Sequence, residues 1–304
     1  MVSPVLEAAD IKFKLAGNLC GPFSFNLRAG ELAAVFSQRL NFSSAFLQLC
    51  IGRRPLKGGK ITVGGFEPNS EEGRRRIGFA GAVPGFYPEM TVGDYIDFFA
   101  RLYGIEDYFR PYIVNEAIEI AKIGDFRCSQ ISKITLPHVL KRVSIARAYV
   151  HNPQLLVIED ALGVDDYQTA AETLKIIVNI RNTGKAVLVS SENLQHFADI
   201  CSQALLISES GGILYKGCFP DFQTELRQFH LIQIQAAEKS FDVLLTALSE
   251  SDRVREILEK DDHSFVLRFI YKGRRADFDA FIKKETEEGL ALVSCSYLES
   301  FFGR

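Results

Sequence analysis

The sequence lacks the features that mark membrane-spanning, secreted or nucleic-acid-binding proteins. It contains no apolar run of about 18 residues, so we expect no membrane-spanning helix. Residues 1–17 have no apolar signal-peptide segment and include Glu7 and Asp10. Basic residues are not in excess, because 35 Lys and Arg stand against 38 Asp and Glu, which argues against a nucleic-acid partner. We therefore expect a cytoplasmic protein.

The cysteines are few and scattered. None of the six lies in a C-x-x-C pattern, which argues against a zinc site or a redox-active pair. We interpret them as ordinary thiols in a reducing compartment, with disulfide or metal use as the alternative. They are Cys20, Cys50, Cys128, Cys201, Cys218 and Cys295.

Residues 1–226 alternate apolar, strand-like runs with longer amphipathic stretches. The chain has 304 residues, of which 47% are hydrophobic, and is long enough for one large or two ordinary domains. The run at 155–158 is continuously apolar, which is typical of a parallel strand covered on both faces. An α/β order with parallel strands follows. The other predicted strands are 31–36, 60–63 and 185–189, and the predicted helices are 43–51, 91–103, 138–150 and 167–182.

Residues 227–304 have a different pattern, which predicts a second, α+β domain. Strand-like and helix-like segments alternate there, and this order suggests a ferredoxin-like arrangement. The expected strands are 230–235, 264–271 and 291–295, and the expected helices are 241–248 and 276–287.

Ordered blocks within residues 1–226 resemble a known family. They are Leu27-Arg-Ala-Gly-Glu31, Gly58-Gly-Lys-Ile-Thr-Val-Gly-Gly65, Arg75-Arg-Ile-Gly-Phe79, Pro84-Gly-Phe-Tyr-Pro-Glu-Met-Thr-Val92, Arg142-Val-Ser-Ile-Ala-Arg-Ala148 and His151-Asn-Pro-Gln-Leu-Leu156. In order and spacing they resemble the ATP-binding subunits of ATP-binding-cassette (ABC) transporters.

The resemblance implies the P-loop NTPase fold of the ABC ATPases, with a helical subdomain at about 85–150. It also implies ATP hydrolysis coupled to transport, and an integral-membrane permease as partner on the cytoplasmic face of a membrane. A competent ABC ATPase or a second copy of the chain would be a further partner. Residues 87–92, 98–104 and 297–302 are most similar to exporters of drugs, lipids and polysaccharides.

The segment that resembles the P-loop departs from the pattern G-x-x-x-x-G-K-[ST]. That pattern lets backbone N–H groups wrap the phosphates, while its Lys neutralises them and its Ser or Thr binds Mg²⁺. Here Phe36 and Asn41 stand at the glycine positions, Phe42 at the lysine position and Ser43 at the magnesium position. A charge contact at about 4 Å contributes up to roughly 4 kcal/mol at an effective dielectric constant of about 20. Phe42 cannot supply that contact.

Two interpretations of this segment stay open. It is either a strand-loop-helix packing element that binds nothing, or a weak nucleotide site. The weak site would use Ser43, Ser44 and the N-terminus of the following helix, with Phe13 as an aromatic neighbour. Asn41 tolerates a left-handed backbone and could keep part of the loop shape. ATP and magnesium would be weak ligands at most, and no cofactor is required.

The segment that resembles Walker B ends in a reversed acidic pair. The family order is Asp, which is linked to magnesium, and then Glu, which is the general base. This chain has Glu159 followed by Asp160. Asp160 is one methylene shorter than Glu, so a base there would lie about 1.5 Å too far from the attacking water. The alternative is an acidic pair at a strand end with no ligand.

Three further positions lack the family's functional residues. The Q-loop glutamine position is Ala82, and the switch-histidine position is Glu192, which would repel a γ-phosphate. An ungapped register places the signature at Leu136, Pro137 and His138, where Pro137 removes one backbone N–H. A gapped register would use residues 132–133 instead.

Aromatic residues before the third predicted helix suggest a docking surface for the permease. They are Phe86 and Tyr87, with Met90 beside them, and ordinary core packing is the alternative. The hypothesis that accounts for most of these features is a non-hydrolysing subunit of an ABC exporter. An active ATPase with an unusual site and a regulatory module detached from membranes are the alternatives.

Overall fold

The computed structural model describes most of the chain and divides it into two units. Contacts between Cα atoms separate Met1–Lys216 from Gly217–Arg304. The division falls ahead of residue 226, where the sequence pattern suggests a boundary. Among helices within the described residues, none has the length and apolar character needed to cross a bilayer. The described residues are 3–15, 17–37, 40–82, 85–162, 167–191, 195–197, 199–208, 213–226, 228–287 and 289–298.

The first unit contains a six-stranded sheet whose central strands are parallel. Its order is β5-β6-β7-β3-β8-β9, and the pairs from β5 to β8 are parallel. All residues of β3, β6 and β7 are buried, which confirms the parallel strand predicted at 155–158. The strands are β3 (Leu32–Ser37), β5 (Ile77–Ala80), β6 (Leu155–Ile158), β7 (Ala186–Ser190), β8 (Gln203–Ile207) and β9 (Ile213–Cys218).

A three-stranded antiparallel sheet packs with the first helix over one face of this parallel sheet. Its order is β2-β1-β4, with β1 (Leu6–Leu15), β2 (Asn18–Leu27) and β4 (Gly58–Val63). Alternating residues of β1 point inward and join one hydrophobic core with α1 (Leu40–Cys50) and the parallel strands. Sequence patterns predict only β4 of these three strands.

The helical subdomain contains three helices that follow β5. They are α3 (Val92–Leu102), α4 (Arg110–Ile120) and α5 (Pro137–Tyr149), after the short α2 (Glu71–Arg75). Thr91 caps α3, because its Oγ1 accepts a hydrogen bond of 3.1 Å from the N–H of Asp94. The predicted helix at 91–103 is therefore confirmed. The longer α6 (Tyr167–Asn182) lies between β6 and β7 in the chain.

The second unit contains an antiparallel four-stranded sheet with two helices between its strands. The element order β-α-β-β-α-β and the sheet order β11-β12-β10-β13 are those of a ferredoxin-like domain. The strand β11 is absent from the predicted elements. The elements are α7 (Phe219–Leu226), β10 (Phe229–Ala236), α8 (Glu238–Glu250), β11 (Val254–Asp261), β12 (Val266–Lys272), α9 (Arg275–Glu287) and β13 (Leu292–Leu298).

A half-buried histidine joins the helical subdomain to the edge of the parallel sheet. The ring of His151 stacks on Tyr103 with centroids 3.7 Å apart, and its Nε2 lies 3.0 Å from the carbonyl oxygen of Ile77. Burial lowers the pKa of His151 from 6.5 to about 4, although the bond to Ile77 opposes the shift. His151 is therefore neutral in the folded chain at neutral pH.

We expect His151 to make the free energy of unfolding depend on pH. Its pKa is lower in the folded chain, so the unfolded chain binds more protons between pH 6.5 and about 4, and stability falls as the pH falls through this window. At pH 5 the loss relative to pH 7 should be about 2 kcal/mol. Urea unfolding at both pH values measures it, with His151→Phe as the non-titrating control. Equal pH dependence in the two proteins would contradict the assignment.

Candidate functional site

Two phenylalanines of the segment that resembles a P-loop are buried in the core. Phe36, at the end of β3, is fully buried, and its ring centroid lies 6.3 Å from that of Phe197. Phe42, in the first turns of α1, is 8% exposed and belongs to the hydrophobic core of the unit. Residues 38–39 and the side chain of Asn41 lie outside the described part of the chain. The lysine position therefore holds a packed aromatic ring.

The two serines of α1 form internal hydrogen bonds. Ser43 is fully buried, and its N–H donates to Ser37 Oγ at 3.1 Å. The hydroxyl of Ser44 donates to the Oε1 atom of Glu159, and Gln48 Nε2 donates to Ser44 Oγ at 3.3 Å. Ser44, the neighbour of the predicted magnesium position, is thus the hydroxyl that reaches the acidic pair.

Glu159 connects α1 to the segment after β5. Its Oε1 accepts from Ser44, and its Oε2 accepts from the N–H of Ala82 at 3.1 Å. Lys141 of α5 binds the backbone of the same two segments. Its Nζ donates to the carbonyl oxygens of Glu159 at 2.6 Å and of Gly81 at 3.4 Å. We call these three side chains, Ser44, Lys141 and Glu159, the Glu159 brace.

Asp160 lies in a bend directly after β6, beside the end of β7. Its φ is 48°, in the left-handed region that Asp tolerates better than most residues. The N–H groups of Asp160 and Ala161 donate to the Oγ and the carbonyl oxygen of Ser190, each at 2.9 Å. The backbone of the acidic pair is therefore fixed by β7. Glu192, at the switch position, lies outside the described residues.

Phe13 does not fit the predicted role of an aromatic neighbour for a nucleotide. It points inward from β1 and is 1% exposed. Its ring packs against Phe23 with centroids 6.1 Å apart and planes at 74°. Phe13 and Phe42 belong to the same hydrophobic core, so the ring has no free face on which an adenine could stack.

The signature segment begins α5 in the ungapped register. Leu136 precedes the helix, is 44% exposed and makes no side-chain capping hydrogen bond. Pro137 occupies the first turn, which suits a residue without an N–H. His138 is half-buried. The gapped register would place the signature in a 3₁₀ turn, Ile131–Lys133, instead of at a helix N-terminus.

The predicted docking residues form a half-exposed aromatic cluster on α3. Tyr87 is 47% exposed, and its ring lies 5.5 Å from Phe98 and 6.1 Å from Tyr95. Phe86 packs 5.6 Å from the buried ring of Tyr95. Met90 is half-buried, and its carbonyl oxygen accepts from the N–H of Ile131 at 3.0 Å. The cluster thus combines core packing with one accessible ring.

Two oxygen groups of the kind that bind Mg²⁺ lie together beside α1. Mg²⁺ prefers oxygen ligands in octahedral geometry, and here the hydroxyl of Ser44 and the carboxylate of Glu159 bond to each other. The ring of Phe42 takes the place of an ammonium. Within the described residues, no group of three or more His, Cys, Asp or Glu is placed to hold a metal ion.

No family model matches this sequence. Similarity to curated proteins is nonetheless clear. The linearmycin resistance ATP-binding protein LnrL of Bacillus subtilis is 23% identical over 256 residues, which cover 82% of this chain and 81% of LnrL. A putative ABC transporter ATP-binding protein of Methanosarcina mazei is 24% identical over 256 residues, covering 78% and 86% of the two chains.

A solved structure shows the same fold. It is cbiO1 from Clostridium perfringens, described as part of the ABC transporter complex cbiONQ, with a TM-score of 0.65 at 18% identity. The similarity covers 74% of this chain and 93% of cbiO1. The fold is therefore that of the ABC ATPase subunits, a P-loop NTPase fold. The chain itself is a homologue of ABC transporter ATP-binding proteins.

We expect Ser44 and Glu159 to be energetically coupled. A double-mutant cycle with Ser44→Ala and Glu159→Ala should give a coupling free energy of about 1–2 kcal/mol, because the hydrogen bond involves a carboxylate. Chemical denaturation of the four proteins measures it. The matched control is Glu172→Ala, which removes a carboxylate bound to Arg142 at 2.7 Å. It should show no coupling to Ser44. Zero coupling between Ser44 and Glu159 would mean that their hydrogen bond contributes nothing to folding.

Proposed function

We propose that this chain is a non-hydrolysing ATP-binding-cassette subunit of an ABC exporter. It docks on a membrane permease at the cytoplasmic face and acts beside a competent ATPase or a second copy of itself. The observation that carries the proposal is the burial of Phe42 in the core at the position of the phosphate-binding lysine. The exporter class rests on the resemblance of residues 87–92 and 98–104 to exporter ATPases.

Loss of hydrolysis is supported by several positions that act together. In the Glu159 brace, the hydroxyl of Ser44 and the carboxylate of Glu159 already form hydrogen bonds. A metal ion would have to compete with these bonds for the same oxygens. Ala82 offers only a backbone N–H where the family has a glutamine side chain. Catalytic groups that act as a unit are strongly non-additive. Repair of one position should therefore recover little activity.

The signature segment extends the proposal to both sites of an ABC dimer. In this family, each site combines the P-loop of one subunit with the signature of the other. Leu136 and Pro137 withdraw donors from the α5 N-terminus, a type of loss that typically costs about 3 kcal/mol in the transition state. Paired with a normal ATPase, this chain would weaken one site through Phe42 and the other through its signature.

We expect MgATP to bind no tighter than about 1 mM, which corresponds to about −4 kcal/mol. Calorimetry with the purified chain measures the dissociation constant. Phe42→Lys should not produce turnover, and it should lower the free energy of unfolding by about 3 kcal/mol or more, because it places an ammonium in an apolar core.

Phe42→Leu is the matched control for that experiment, since it keeps an apolar side chain at the same place. It should retain most of the stability and should also fail to hydrolyse ATP. A low-micromolar dissociation constant in the parent would contradict the expected weak binding. Phosphate release by Phe42→Lys that the parent lacks would contradict the expectation that one repair recovers little activity, and phosphate release by the parent itself would overturn the proposal.

We expect Tyr87→Asp to release the chain from membranes without unfolding it. The ring of Tyr87 is 47% exposed, so the change removes contact area at the cluster and leaves Tyr95 buried. Cofractionation with membranes that contain the cognate permease measures the effect, and thermal melting reports folding. The control is Tyr108→Asp, which changes a ring that is 86% exposed outside the cluster. An unchanged membrane fraction in Tyr87→Asp would count against permease docking.

A further inference from the structure

The two edges of the second unit's sheet have opposite character. Strand β11 lies at one edge and β13 at the other. Charged side chains on an edge strand oppose pairing with another chain. By this criterion β11 is protected and β13 is not, because β13, with the sequence LVSCSYL, has no charged residue. The charged residues of β11 are Arg255, Glu256, Glu259, Lys260 and Asp261.

The outer edge of β13 is accessible. The strand pairs with β10 on one side, from Leu231↔Leu298 to Ala236↔Leu292. Within the described residues, no strand pairs with its other side. Its central residues are exposed, and Val293 reaches 64%. A second strand could therefore add to this edge through backbone hydrogen bonds.

The sequence of β13 is nearly the same when read in either direction from Cys295. Ser294 and Ser296 flank the cysteine, and leucine stands at both ends. An antiparallel copy centred on Cys295 would place Ser294 opposite the partner's Ser296. Leu292 would likewise meet the partner's Leu298. Val293 would meet the partner's Tyr297, a pairing of β-branched and aromatic residues that stabilises antiparallel sheets.

Such pairing also keeps each face of the sheet matched. Cys295 and Tyr297 lie opposite Ile234 and Ile232, which point into the core beneath the helices. The two serines therefore point to the other face, because successive side chains of a strand alternate. Directly opposed residues of an antiparallel pair share a face. The partner's serines would thus extend the serine face, and its cysteine would join the helix side.

The groove beside β13 has the mixed charge that a self-complementary surface needs. It has a volume of about 550 Å³ and lies between the strand and α9. Asp279 is held there by the hydroxyl of Tyr297 at 2.6 Å. Basic side chains stand one turn away on either side. The lining residues are Arg275, Asp279, Ile282, Lys283, Cys295, Ser296 and Tyr297.

We propose that β13 is a homodimerisation strand. Two copies of the chain pair antiparallel through β13 about a twofold axis at Cys295, which joins their two four-stranded sheets into one. A twofold interface brings the same patch of both subunits together, and a strand that reads alike in both directions meets this requirement. An unrelated extended peptide would place no such constraint on the sequence. The proposal is independent of whether the first unit binds nucleotide.

A pair of charge variants tests the register in the full-length chain. In Ser294→Lys/Ser296→Lys, each lysine stands opposite a lysine of the partner. In Ser294→Lys/Ser296→Glu, each lysine stands opposite a glutamate. Both variants change only exposed residues of β13, and thermal melting checks that they fold. Sedimentation equilibrium should show the first variant dimerising about tenfold or more weakly than the second. Equal association of the two variants, or a monomeric wild-type chain at its highest soluble concentration, would overturn the proposal.

Oxidative cross-linking tests the position of the twofold axis. Opposed residues of an antiparallel pair have Cα atoms about 4.5 or 5.5 Å apart, and a disulfide accepts about 4.4–6.8 Å. With copper phenanthroline as the oxidant, the Cys128→Ser/Cys218→Ser chain should form a covalent dimer through Cys295, the remaining exposed cysteine. Adding Cys295→Ser should abolish it. A cross-link that survives Cys295→Ser, or no cross-link through Cys295, would overturn the proposal.

Discussion

The arrangement around the acidic pair depends on the hydrogen bonds of one carboxylate. Glu159 accepts from Ser44 of α1 and from the N–H of Ala82, while Lys141 of α5 binds its carbonyl oxygen. These contacts connect the core helix, the end of β6 and the helical subdomain. A carboxylate shielded from water is costly unless its oxygens accept hydrogen bonds, and both oxygens do so here. The polar groups around the acidic pair thus satisfy one another.

Aromatic rings fill the apolar part of this region, as the hydrogen bonds of Glu159 satisfy its polar part. Phe36 packs on Phe197, and Phe42 shares a core with Phe13. Phosphate oxygens need an open loop lined by N–H groups, whereas buried rings need close contact on every side. The described side chains meet the second of these requirements.

Much of the fold could be predicted from the sequence, and the elements that were missed have physical reasons. The strand at 155–158 and the helix at 91–103 were predictable, because continuous apolar character and a 3.6-residue period are local signals. Strand β11 was missed because its charged residues interrupt the alternation of apolar and polar residues that marks a strand. Such residues are expected at a solvent-exposed edge. The inward position of Phe13 depends on β1, whose alternation is broken by two irregularities in register.

The internal contacts of the site could not be predicted in the same way. The hydrogen bond between Ser44 and Glu159 joins residues 115 positions apart. The pattern that marks Ser43 as the magnesium position gives no indication that the next serine bonds to the carboxylate. Asp160 was correctly singled out as part of a strand-end pair. Its left-handed backbone follows from the hydrogen bonds to Ser190, which only the folded chain provides.

The bond between Ser44 and Glu159 has a consequence for how a subunit of this kind can take part in a moving assembly. A ligand shifts a conformational equilibrium only as far as its affinities for the two states differ. Here Ser44 and Glu159 are held together by hydrogen bonds of the chain itself. Under the proposed function, this subunit hydrolyses no ATP of its own. It serves as a fixed support against which another subunit does the work.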